Sequence, residues 1–177
     1  QTTSLNPACV SLTIRHLLRC GAMECIGGVR STSGRKREVL KLNSETGYFV
    51  VVDFEGTRIR IGLTNFQGDI RYRWEEDVNY RQRLEIRDIL HGIESVLRGL
   101  DPAERNRTLA VGVSYTGLVD EAGGVTAVNL GWKAFPLAQR LERFVDLPIF
   151  YANDGVCKIL AERWLGVAQN CDNCVYV

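Results

Sequence analysis

The 177-residue sequence predicts an α/β protein in which a small basic helix-and-hairpin module precedes a larger body. Three consecutive segments between Tyr48 and Glu76 read as strands: YFVVVDF is an apolar run of strand length, TRIRIGLTN alternates, and IRYRWEE continues as a third. Beyond them the pattern turns helical, and strand-like and helix-like segments alternate to the end. The basic side chains gather at the front: Arg15, Arg19, Arg30, Arg35, Lys36, Arg37 and Lys41 stand against only Glu24 and Glu38 before Ser44. The formal net charge is +1, so the remainder is slightly acidic. A basic head on an acidic body is expected where one module meets a polyanion and the other does not.

The head, residues 1–43, opens with a helix-start signature. Asn6 can cap, Pro7 suits the first helical position, and Val10, Ile14, Leu17 and Leu18 recur at helical spacing until Gly21. Met23 to Ile26 is a strand candidate, GGVRSTSGRKR a basic loop, and EVLKLN a second strand. Helix, strand, basic loop, strand is the second half of a winged helix-turn-helix. Ser4, Ala8, Ser11, Leu12 and Arg15 would then lie on or near the exposed face of a recognition helix. Arg30, Arg35, Lys36 and Arg37 would form a wing against DNA phosphates or a minor groove. Any short amphipathic helix with an exposed hairpin shows the same pattern. His16 is expected to be a surface or packing residue.

The body, residues 47–177, begins with the three strands, joined by tight turns that include Gly68-Asp69. A long amphipathic helix is predicted from Tyr80 to Leu100, with Ile86, Ile89, Leu90, Ile93, Val96, Leu97 and Leu100 on one stripe, stopped by Asp101-Pro102. TLAVGVSYTG is a strand running into a glycine turn, Leu137 to Val145 a helix, LPIFYAND a strand, KILAERWLGVA a helix, and NCVYV the opening of a further strand. TGLVD (Thr116 to Asp120) and NLGW (Asn129 to Trp132) read as turns. This is the element order of one lobe of an actin/hexokinase-like (ribonuclease H-like) ATPase, although other α/β folds fit the pattern too. Asp53 and Asp154 close strands, where carboxylates beside glycines can hold a metal, orient a water or take a proton. A helix cap at Asn153-Asp154 explains that pair equally well.

Composition sets further bounds. With 45% hydrophobic and 24% charged residues, the chain suits one globular domain plus a small module. No apolar window approaches the roughly 18 residues of a membrane span, and no signal-peptide series opens the chain, so no membrane partner and a cytoplasmic location are expected. Gln1 in place of Met and a final CVYV that stops in an apolar run suggest a chain cut at both ends. The six cysteines sit mostly inside apolar runs, which predicts buried thiols in a reducing compartment. Only Cys171 and Cys174 form a C-x-x-C, and a closed zinc site needs four ligands, so no metal site is assigned.

Together, SGRK with VLKLN, VVDFEGTRIRIGLTN, GVSYTGLVD, NLGW and YANDGVCKILAERWLG resemble, in order, the segments of the ROK family of sugar-responsive transcriptional repressors and sugar kinases. The resemblance implies a repressor of the winged type, with operator DNA, a small sugar effector and a homo-oligomer as partners, and no cofactor. The alternative it implies is an ATP- and magnesium-dependent hexose kinase. Asn129, Asn153 and Asp154 match residues that hydrogen-bond sugar hydroxyls, Gly117 matches a turn glycine of the sugar cleft, and Asp154 matches the general base of the kinases. Thr116 stands where proline is more usual. Asp53, Gly56 and Thr57 match the phosphate loop, but Glu55 replaces a usual glycine, and its charge would oppose phosphate oxygens. The family's second phosphate-binding glycine motif and its zinc-binding cysteines would lie beyond Val177. Phosphoryl transfer depends on positioning between two lobes, so these 177 residues alone are not expected to catalyse it.

Overall fold

The computed structural model describes residues 6–30, 36–55, 57–78, 85–169 and 171–176. Helix α1 (Pro7–Arg19) starts as its sequence predicts: the Asn6 side chain accepts the Ala8 N–H, and Pro7 occupies the first turn, where a missing donor costs nothing. The chain leaves the helix through Gly21 at φ 75°, a backbone that favours glycine. Val10, Ile14, Leu17 and Leu18 are half-buried, while Ala8, Ser11, Leu12 and Arg15 are exposed, as is His16. Strands β1 (Met23–Arg30) and β2 (Lys36–Leu42) form a separate antiparallel ribbon, with Val29 opposite Arg37 and Arg30 opposite Lys36. A bulge between Cys25 and Gly27 shifts its register.

The main sheet has the order β10 (Ile149–Asn153), β6 (Thr108–Tyr115), β3 (Tyr48–Glu55), β4 (Arg58–Asn65), β5 (Ile70–Asp77). Strands β3, β4 and β5 make the predicted antiparallel meander. β6 and β10 add in parallel on the other side of β3. The period-two pattern decides the faces. Val50, Val52, Phe54, Ile59, Ile61 and Leu63 are almost fully buried, whereas Val51, Asp53 and Glu55 point the other way.

Helix α2 (Ile86–Gly99) lays Ile89, Ile93 and Val96 on the core face. Gly92 permits that approach, because an added Cβ would run into Ile61 and the Trp74 ring. The helix begins at a capping box between Glu85 and Asp88. The part of the predicted helix from Tyr80 to Leu84 lies outside the described residues. Leu100 is already extended, and the short helix α3 (Pro102–Asn106) starts at a second capping box between Asp101 and Glu104.

Four expectations need correction. TGLVD and NLGW hold the expected turns, at Gly117 and at residues 128–131, but also strand: β7 (Leu118–Val119), β8 (Val125–Ala127) and β9 (Trp132–Phe135) form a small antiparallel sheet around them. Two to four residues per strand are too few for an alternation to be read. Helix α4 is only Leu137–Leu141; hydrogen bonds from the Phe144 and Val145 N–H groups to the Leu141 carbonyl close the segment as turns. NCVYV forms no strand among the described residues; instead Cys174, Val175 and Tyr176 line a groove with Ile159, Glu162 and Val167 beside the last helix, α5 (Asp154–Trp164). A strand needs a neighbour's ladder, and none runs beside this segment in the described residues. The cysteines are not buried: Cys9, Cys20, Cys25 and Cys171 are exposed, Cys157 and Cys174 half-buried, and all six are free thiols. Their apolar neighbours in sequence lie on a thin head and a surface helix, which have little interior to offer.

Candidate sugar cleft and DNA-facing module

The candidate site forms where β3, β6 and β10 end. Asp53 projects from the sheet face opposite the core, directly across from Arg60 on β4, and the Arg60 guanidinium donates to its carboxylate at 3.1 Å. Ser114 is its neighbour on β6. Val51, Asp53, Gly112, Ser114, Phe150 and Cys157 line an open groove of about 330 Å³ along this second face. Glu55 ends β3 half-exposed; Gly56 lies outside the described residues, and the Thr57 N–H returns to the Glu55 carbonyl at 2.6 Å.

β10 delivers Asn153 to the same end. Its side-chain carbonyl caps α5 by accepting the Gly155 N–H at 2.9 Å, and its amide donates to the Gly117 carbonyl at 3.0 Å. The cap expected at this pair is therefore present, and the same side chain also ties α5 to the turn before β7. Gly117 has to be glycine: its φ is 110°, and an added Cβ would strike the Thr126 carbonyl oxygen. Asp154, in the first turn of α5, accepts the Gly155 N–H through Oδ1 at 2.9 Å, and its side chain is 19% exposed. Asn129 stands exposed on the turn between β8 and β9. The small sheet is anchored through Trp132, which meets the Phe54 ring edge-on and stacks on Phe135.

Two cations at this end escaped the sequence reading. Arg60 was hidden among the alternating residues of β4. Lys158 lies 3.5 Å from Glu55 Oε1 and 3.7 Å from Asp154 Oδ2, so one ammonium serves two carboxylates from different elements. Its i, i+4 spacing from Asp154 was a usable signal. Burial of the Lys158 amine pulls its pKa down, but Glu55 and then Asp154 outweigh it, and the net direction is upward.

On the head, Ala8, Ser11 and Arg15 share the exposed side of α1. Lys36 and Arg37 open β2, while Ser4 and Arg35 lie outside the described residues. The joint between head and body is dense. The Gly21 carbonyl accepts Asn43 Nδ2 at 3.0 Å and Thr46 Oγ1 at 2.6 Å. Glu45, between them, accepts from the Tyr48 hydroxyl at 2.7 Å, from Asn65 Nδ2 at 3.1 Å and from Arg71. Arg107 donates to the Glu45 backbone carbonyl at 2.6 Å and lies over the Tyr48 ring. The hydrogen bonds from Tyr48, Arg71 and Asn65, in that order of effect, hold the Glu45 pKa down from 4.5 to about 2.

The sequence profile of the ROK family matches residues 49–177, nearly the whole body. The chain belongs to the ROK family. Over its full length it is 26% identical to the xylose repressor of Bacillus subtilis, of which it spans 46%. A crystal structure of a ROK family transcriptional regulator, homologous to the Escherichia coli MLC protein, superposes with a TM-score of 0.68 at 22% identity, covering 96% of this chain and 43% of that one. The ROK family glucokinase of Streptomyces griseus, solved with glucose and AMPPNP, superposes with a TM-score of 0.60 at 26% identity, covering 70% of this chain and 38% of its own. The chain thus spans under half the length of these relatives. The α/β body is the ROK lobe of the actin/hexokinase-like type expected from the sequence, and no helix among the described residues is long and apolar enough to cross a membrane.

The kinase members of the family imply ATP with magnesium, but the side chains at this end do not fit that group. Magnesium takes carboxylate oxygens and keeps several waters. Here Asp53 is occupied by Arg60, and Glu55 and Asp154 are occupied by Lys158. Glu55 also places a negative charge at the hairpin that would have to face phosphate oxygens.

Proposed function

We propose that this chain is the DNA-binding head and sugar-sensing lobe of a ROK transcriptional repressor, one that responds to a sugar without phosphorylating it. The observation that carries the reading is the basic helix-and-ribbon module in front of the body. The likeness to the xylose repressor takes in the whole chain, while the glucokinase likeness covers 70% of it, about the length of the body.

The parts divide as follows. The exposed side of α1, with Ala8, Ser11 and Arg15, enters the major groove of an operator, and Ser4 precedes it. Arg35, Lys36 and Arg37 neutralise phosphates and release counterions. Asn153, Asp154, Asn129 and the Gly117 turn hold sugar hydroxyls. Asp154 serves as a hydrogen-bond acceptor, with its Oδ2 facing the Lys158 ammonium at 3.7 Å. A sugar that binds one state of the lobe better than another shifts the head through the Glu45 joint, in a homo-oligomer whose paired heads read paired half-sites.

The kinase reading keeps one specific support, the presence of Asp53, Gly56, Thr57, Asn153 and Asp154 in the sequence. An ADP-release assay on the intact protein with a panel of pentoses and hexoses separates the two. The repressor reading expects no sugar-dependent turnover, and steady turnover with any of the sugars would replace it with the kinase.

A further inference from the structure

The carboxylates at the mouth of the cleft show what the site is built to exclude. Glu55 comes from the end of β3, and Asp154 from the first turn of α5. Asp154 Oδ1 is engaged by the Gly155 N–H, so Oδ2 is free to face Lys158. The ammonium sits within 4 Å of both carboxylates, and the Tyr176 ring lies 5.9 Å from it on the same side of α5. Lys158 follows Asp154 by one helical turn, the order in which an acidic residue and a cation support each other best. The neighbouring carboxylate, Asp53, has its own cation in Arg60. A compact ammonium and a hydrated divalent ion seek the same oxygens, and the first excludes the second by charge as well as by occupancy.

Resting on the repressor reading, we infer that Lys158 is a built-in cation that fills the place a divalent metal would need between Glu55 and Asp154, and so fits the cleft to an uncharged sugar taken without a metal nucleotide. With two carboxylates around one ammonium, the three groups carry one net negative charge. A phosphorylated sugar is therefore disfavoured as well as a nucleotide. The ammonium also ties the β3–β4 hairpin to α5, which keeps Asp154 aimed while its charge stays balanced.

The test is a manganese titration of the intact protein, followed by electron paramagnetic resonance, on the native form and on Lys158→Met, which keeps the stem but loses the charge. Lys158→Gln serves as a second variant, and the thermal midpoint of each confirms folding. Lys158→Met is expected to bind manganese at least fivefold more tightly than the native protein, and adding Glu55→Gln is expected to reverse the gain. A smaller difference, including no binding by either form, overturns the inference, as does a gain that survives Glu55→Gln. Sugar-dependent DNA release by the native protein is measured alongside. Its failure with the metal gain intact counts against the repressor reading and leaves the role of Lys158 standing.

Discussion

The amide of Asn153 donates to the backbone carbonyl of Gly117 at 3.0 Å, while the carbonyl of the same side chain caps α5. One residue thus joins the helix that begins with Asp154 to the turn that opens the small sheet. A cap alone contributes about 1 kcal/mol. Asn153→Ala is expected to lower stability by about 1 to 2 kcal/mol in urea denaturation and to abolish sugar binding. Asn153→Asp keeps a capping oxygen but loses the donor. It is expected to retain most of the stability while weakening sugar affinity more than tenfold by calorimetry. Equal sugar affinities in Asn153→Asp and the native protein would remove the Gly117 tie from the account.

Gly117 makes a separate prediction. Gly117→Ala combines a left-handed φ of 110° with a collision at the Thr126 carbonyl, so the turn must move. The cost is expected to be about 2 kcal/mol or more, seen as a lowered thermal midpoint. An unchanged midpoint would mean that the turn relaxes freely and does not fix the cleft.

The Glu45 joint predicts a pH dependence. Its carboxyl pKa is held at about 2, below the 4.5 it has when unfolded, so the unfolded chain takes up the proton first. The stabilisation is fully present above about pH 4.5 and is lost as the pH falls from there toward 2. Glu45→Gln is expected to be less stable at neutral pH, with a flatter acid limb in the denaturation profile. Because Glu45 holds Asn65 of β4 and Arg71 of β5 next to Thr46, which bonds the Gly21 carbonyl after α1, this variant is expected to bind DNA but to respond less to sugar.

The wing prediction concerns salt. Each cation that meets a phosphate contributes about 0.9 to the slope of log affinity against log salt. Replacing Arg35, Lys36 and Arg37 with alanine should lower that slope by roughly 2 to 3 and weaken all DNA sequences about equally. An unchanged slope would take the ribbon away from the backbone.

The long periodic segments could be read from the sequence because their burial is set locally. The alternation in TRIRIGL fixes which face of β4 meets α2, the apolar run YFVVVDF marks β3 beside it, and Asn6-Pro7 fixes the start of α1. What escaped reading depends on partners far away in the chain. The strands of the small sheet are defined by one another and by the Trp132–Phe54 contact, not by any pattern of their own. The exposure of Cys9 and Cys20 follows from how little packs on the head. At the candidate site, Asn153, Asp154 and Gly117 were singled out through motif order, and the bond from the Asn153 amide to the Gly117 carbonyl needed the fold. Glu55 looked like a substitution that spoils a phosphate turn. Its partner Lys158, 103 residues later in the chain, turns it into one half of a charge bridge.

In the proposed function a sugar controls DNA binding without phosphoryl transfer. Fluorescence anisotropy of a labelled duplex selected from random DNA by the intact protein tests it most directly, titrated with and without saturating D-xylose or D-glucose and with no nucleotide present. At least one of these sugars is expected to weaken DNA affinity tenfold or more, as far as a coupling of about 1.4 kcal/mol reaches. Affinity that stays the same with both sugars until ATP and magnesium are added would contradict the account.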